Sequence, residues 1–157
     1  MVNLNNPALL LDSDVLVNWL SLEEDIVTHT KLWDGPHKII TLIEEGRVNG
    51  YSTLINIMEI RFVLRRKKKF SENKIQMALA KLAKLINITI PDEINLLKAD
   101  ELQIENPSLS PIDSVLLSVA MAMRDIILIS RDQELLKIAS KVIPASTPEE
   151  FLAKIKL

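Results

Sequence analysis

Two aspartates, Asp12 and Asp14, stand one residue apart where the apolar run of LLLDSDVLVNWL (residues 9–20) breaks. Acids in that place either cap a helix, accepting from its first free N–H groups, or do chemistry. Three more acids raise the same question. Glu59 lies within LINIMEIRFVL, where helical spacing gives it Ile55, Phe62 and Val63 as neighbours and Asn56 as its one polar companion. A carboxylate on such a face must find a partner or hold its proton more tightly. Asp113 opens the largely apolar SPIDSVLLSVAMAM, three residues after Ser110, a spacing close to a capping box. Asp132 follows Ser130 at the end of IILI, and Ser130-x-x-Gln133 has the form of a capping box of its own. If the strand-end acids and the two helix acids converge, they repel one another unless a cation holds them. An all-oxygen donor set suits a hard ion, Mg²⁺ or Mn²⁺. Such ions keep waters and bind phosphates, so the chemistry implied is phosphodiester hydrolysis.

Composition removes most competing chemistries. The 157 residues include no cysteine, which excludes disulfide frameworks, thiol nucleophiles and cysteine-based zinc sites. The histidines, His29 and His37, lie eight apart in a polar segment and read as surface residues. All three glycines, Gly35, Gly46 and Gly50, fall in one short region, so no glycine-rich loop cradles a nucleotide phosphate. There is no G-x-S-x-G elbow either. A net charge of −2 argues against a protein that coats nucleic acid indiscriminately, but it leaves room for a local basic surface. RFVLRRKKKF supplies one: Arg61, Arg65, Arg66, Lys67, Lys68 and Lys69. Alone, that run reads equally as a solvated helix end whose cations suit the negative pole of the helix dipole.

The elements that must position these residues alternate between short apolar runs and longer segments of helical period. ALLL, the weak RVNGYS, NITI, DIILIS and a minimal VIP read as strands. Between them run helices: DVLVNWL, PHKIITLIEEG with Gly46 as its stop, STLINIMEIRFVLRR, SENKIQMALAKLAKLIN capped by Ser71, and one or two in PDEINLLKADELQIEN. SPIDSVLLSVAMAM, RDQELLKIASK and TPEEFLAKIKL follow, the last with the capping box Thr147-x-x-Glu150. This alternation predicts an α/β fold, a three-layer α/β/α sandwich around a mainly parallel central sheet, in one domain spanning residues 1–157. With 48% hydrophobic residues the chain can build a core. Its most apolar stretch, Val115 to Ile129, is broken by Arg124 and Asp125 and is too short to cross a bilayer, and no signal peptide is evident. A cytoplasmic location is expected. Ligands in open α/β sheets bind beyond the carboxyl ends of the strands, where Asp12, Asp14, Ser52, Ser130 and Asp132 fall.

LLLDSDVLV, STLINIMEIRFVL, LSPIDSVLLSVAMA and IILISRDQEL resemble, in order and spacing, the successive acidic motifs of the PIN-domain ribonucleases, including the VapC-type toxins of toxin–antitoxin pairs. The resemblance covers nearly the whole chain. It implies that Asp12, Glu59, Asp113 and Asp132 form a catalytic, metal-binding acidic site for Mg²⁺ or Mn²⁺, with Asp14 alongside and Ser130 and Ser13 behind them. It also implies an endoribonuclease that acts on RNA, forms a homodimer and is blocked by a small antitoxin, with the Arg61–Lys69 run steering RNA phosphates toward the acids. Many members carry asparagine or serine where this chain has Asp14. Two other readings share part of the pattern. In a haloacid-dehalogenase-like phosphatase Asp12 would be the nucleophile and Asp14 a general acid. That family also requires a lysine and a glycine-aspartate motif, and IILISRDQEL lacks the latter. In a non-catalytic PIN-like module, the acids would be caps or remnants and the fold would serve only to bind a partner.

Overall fold

The computed structural model describes residues 6–155. Among them, five strands form one all-parallel sheet in the order β3-β2-β1-β4-β5. They are β1 (Ala8–Leu11), β2 (Asn49–Thr53), β3 (Asn87–Thr89), β4 (Ile126–Ile129) and β5 (Ala145–Ser146). Eight helices connect and cover them: α1 (Ser13–Leu20), α2 (Asp34–Glu44), α3 (Leu54–Arg66), α4 (Glu72–Leu85), α5 (Glu93–Glu105), α6 (Pro111–Ala122), α7 (Gln133–Ala139) and α8 (Pro148–Lys154).

Strand periodicity divides the core between two faces. Leu9 and Leu11 of β1 and Ile127 and Ile129 of β4 join one cluster with residues of α1, α2, α3, α4 and α8. Leu10, Ile126 and Leu128 point the other way, into a cluster with α5, α6 and α7. β4 is buried at every residue, as a parallel strand covered on both faces must be. Each fully buried leucine there contributes roughly 1.5–3 kcal/mol. The result is the three-layer α/β/α arrangement. None of the described helices is long and apolar enough to cross a membrane.

Local signals set most boundaries. Ser71, Ser110 and Thr147 cap α4, α6 and α8 through their hydroxyls, and the Thr147–Glu150 capping box is formed. Beyond the end of α2, Gly46 adopts φ +70°, a conformation that spares glycine the Cβ penalty. At Gly50 in β2 an added Cβ would lie 2.6 Å from Ile43 Cδ1, so the strand needs glycine for close helix–sheet packing.

One expectation is narrowed and two change. PDEINLLKADELQIEN forms one helix, α5, started by Asp92 and Asn95 in a reciprocal capping box. The last strand lies not at VIP but at Ala145–Ser146; the Pro144 carbonyl accepts from Leu128, and pairing with β4 continues from there. Ser130-x-x-Gln133 does not cap α7. Asp132 is the N-cap, accepting from Leu135 N at 3.0 Å, which leaves the Ser130 hydroxyl for another partner.

Candidate active site at the switch point of the sheet

β1 is central, and the chain leaves it in both directions: outward through β2 and β3, then back to β4 on its other side. The carboxyl ends of β1 and β4 therefore border a topological switch point, where a crevice forms because the connections diverge. Asp12 follows β1 and Ser130 follows β4, and Asp12 N donates to Ile129 O at 3.0 Å.

Asp12 is buried, with 4% of its surface exposed. Ser130 Oγ donates to its Oδ2 at 2.7 Å and Ser13 N to its Oδ1 at 2.7 Å, making Asp12 also the N-cap of α1. Asn56 Nδ2 lies 3.4 Å from the same Oδ1 and donates to Ser13 Oγ at 2.8 Å. Asn56 in turn is fixed by Thr53, whose hydroxyl donates to Asn56 Oδ1 and accepts from Asn56 N at the cap of α3. Ser52, the other polar strand end, lies outside this set. Its hydroxyl donates to Leu11 O at 2.8 Å and staples β2 to β1.

Burial pushes the Asp12 carboxyl well above the usual range, and the charges of Asp14 and Asp113 push the same way, while the Ser130 hydroxyl and the Ser13 backbone oppose them. Asp14 is half-buried and raised to about 6 by burial, against hydrogen bonds from the Arg131 and Val15 backbones at 3.0 and 2.6 Å. Asp113, at the start of α6, is raised mainly by burial and also by the charges of Asp132 and Glu59. Asp14 feels Asp132 as well. Like-charge repulsion thus connects Asp12 with Asp14 and Asp113, Asp132 with Asp14 and Asp113, and Glu59 with Asp113.

The pairwise links do not amount to a closed ligand shell. Among the described residues, no three acidic or imidazole side chains stand close enough together to hold a metal ion. The acids approach one another without closing into a three-donor group. Donor chemistry still suits a hard divalent cation: carboxylate oxygens with raised proton affinity, whose mutual repulsion a cation would relieve.

Glu59 departs from its expected setting. Phe62 is 57% exposed, so the face is not apolar core; half-buried Glu59 instead lines a cleft of about 420 Å³ with Asp14, Val17 and Val63. The basic run divides. Lys67 and Lys68 line that cleft, whereas Arg65 pairs with Glu72 on α4, and Lys69 takes the left-handed conformation that ends the helix region. Arg61 also sits near enough to Glu72 to lower its pKa. Both histidines are exposed.

Arg131, between Ser130 and Asp132, has no motif of its own in the sequence, yet it joins α1, α8 and the loop before α2. Its Nε donates to Asn18 Oδ1 at 2.6 Å, its Nη atoms to Glu149 at 3.0 and 2.7 Å, and Nη2 to Leu32 O at 2.7 Å. Asn18 carried the one available signal: it follows Asp14 by a helical turn as a polar residue in the apolar VLVNWL.

The protein-family model described as PIN domain matches residues 9–141. A sequence comparison with curated proteins finds no match. Similar solved structures include VapBC2 from Rickettsia felis bound to a DNA fragment from their promoter, with 14% identity and a TM-score of 0.64, covering 89% of this chain and 98% of that one. A toxin–antitoxin complex from Klebsiella pneumoniae has 20% identity and a TM-score of 0.61, covering 88% and 96%. FitAcB from Neisseria gonorrhoeae has 14% identity and a TM-score of 0.61, covering 90% and 98%. At these identities the likeness is one of fold.

Proposed function

Because the chain belongs to the PIN-domain family, we propose that it is a Mg²⁺- or Mn²⁺-dependent endoribonuclease, the toxin of a VapBC-type toxin–antitoxin pair. The observation that supports this reading is buried Asp12 at the switch point of the sheet, with Asp14 beside it and the charges of Asp113, Asp132 and Glu59 linked to them in turn. Asp12, Asp14, Glu59, Asp113 and Asp132 are the residues that would hold the metal. A bound ion would supply a water acidic enough to attack at neutral pH and a Lewis acid for the phosphate.

The chain's own contribution is orientation and charge. The Ser130 hydroxyl and the Ser13 amide fix both oxygens of Asp12. Arg131 N and Val15 N fix those of Asp14. Lys67, in the same cleft as Asp14 and Glu59, counters the repulsion between acids and an approaching phosphodiester, while Lys68 pairs with Glu23. A haloacid-dehalogenase-like phosphatase would also require the glycine-aspartate motif that IILISRDQEL lacks. Partners follow from the same reading: RNA as substrate in the cytoplasm, a second copy in a homodimer, and a small antitoxin, the similar Klebsiella structure being a toxin–antitoxin complex.

The test is cleavage of a mixed RNA pool with Mn²⁺, Mg²⁺ or EDTA. Cleavage in either metal but not in EDTA, abolished by Asp12→Asn and by Glu59→Gln in folded protein, is the expected result. Failure of the wild type to cut any RNA in either metal, together with no calorimetric Mn²⁺ binding, would establish the non-catalytic module instead.

A further inference from the structure

The cleft beside the acids contains more than phosphate-neutralising charge. Its walls include Val17 and Val63, and its polar rim includes Glu23 and Lys68. Glu23 is held from both sides. Its Oε2 accepts from Asn18 Nδ2 at 2.9 Å, and its Oε1 from Lys68 Nζ at 2.7 Å. Asn18 is 5% exposed and is itself fixed by Arg131. The Glu23 side chain keeps 30% of its surface exposed, and a carboxylate has about four acceptor sites, so two remain for a ligand. Lys68 offsets its charge, which lets the acid sit next to a phosphodiester chain without repelling it.

We infer that this cleft is a base-recognising subsite for a single-stranded nucleotide next to the scissile phosphate, in which Glu23 reads guanine. The inference rests on the nuclease reading for its RNA ligand. RNA is read on splayed-out bases through their edges and faces, and a volume of about 420 Å³ falls in the range of small-ligand sites. Half-buried Val63 offers apolar contact to a base face. Guanine is selected by donor pattern: its N1–H and N2–H₂ stand side by side and match two carboxylate oxygens. Adenine and cytosine place an acceptor next to their amino group, and uracil flanks its single N–H with carbonyls, so each sets an acceptor against the carboxylate. Locking Glu23 through Asn18 and Arg131 gives the carboxylate one orientation before RNA arrives, which lowers the entropy cost of recognition.

The experiment measures fluorescence anisotropy of labelled single-stranded oligouridylates carrying one central guanosine or inosine, in EDTA so that nothing is cut. Inosine lacks the 2-amino group. Wild type is expected to bind the guanosine oligomer about 10-fold more tightly, the effect of one charge-assisted hydrogen bond. Glu23→Gln should bring the ratio close to one, and Val63→Trp, which fills the cleft, should do the same. Equal binding of the two oligomers by wild type would overturn the inference, as would a preference retained in either folded variant. The nuclease reading fails separately: guanine preference without metal-dependent cleavage would sink the nuclease and spare the subsite, and cleavage without guanine preference would sink the subsite alone.

Discussion

Replacing Asp14 with asparagine isolates the electrostatic strain in the acidic site. Asp14 keeps its proton up to about pH 6 rather than the ordinary 3.8, because burial penalises its charge more than the hydrogen bonds from Arg131 and Val15 favour it. The unfolded chain releases that proton near the ordinary value. Between about pH 4 and about pH 6 the native state therefore binds more protons than the unfolded state, and stability falls as pH rises. At about 1.4 kcal/mol per pH unit the whole displacement amounts to about 3 kcal/mol, and solvent screening of a half-buried group reduces it to about 1–2 kcal/mol. Asp12, raised by burial and by the Asp14 charge, adds to the same slope, and the protons belong to the pair rather than to either residue. Asp14→Asn removes one charge and relieves Asp12. It also turns an amide NH₂ toward one of two N–H donors, a loss of roughly 1–2 kcal/mol. Below about pH 4 the variant should thus be the less stable protein by that amount, and above about pH 6 the gap should close or reverse. Urea unfolding in EDTA at low salt across this range measures both curves. Parallel wild-type and variant curves would refute the reasoning, since they would mean that Asp14 carries no penalty in the native state.

Other expectations follow from single contacts. Ser130→Ala removes the donor to Asp12 Oδ2 and the acceptor of Asp132 N at a fully buried position, and should cost about 1–3 kcal/mol by denaturant unfolding. A loss below about 0.5 kcal/mol would show that another group replaces it. Millimolar Mn²⁺ should raise the melting temperature of wild type near neutral pH and should leave that of Asp12→Asn unchanged; equal shifts in both would place the ion elsewhere. Gly50→Ala sets a Cβ 2.6 Å from Ile43 Cδ1 and 2.9 Å from Ile86 Cγ2, so it should destabilise by roughly 1–3 kcal/mol without touching the acids, visible as a shift in urea midpoint at constant slope.

The sequence by itself determined the elements and the side-chain types available at their ends. Caps such as Ser71, Ser110 and Thr147 act within three residues, and the apolar period of each segment is local too, so both are legible along the chain. Asp12 and Asp132 could be placed at strand ends, and the absence of cysteine narrowed the donors to oxygen, for the same reason. Only the tertiary structure decided who meets whom. Ser130 reaches Asp12 across 118 residues because β4 lies beside β1, and strand order is set by the packing of whole layers, which no short pattern encodes. Packing also split the basic run between the cleft and α4, turned Glu59 to a cleft instead of a buried apolar face, and made Asp132 the cap that Ser130 had been expected to be. Each of these depends on which surface a helix turns to its neighbours, and a helix with apolar residues on several sides leaves that choice to the rest of the fold.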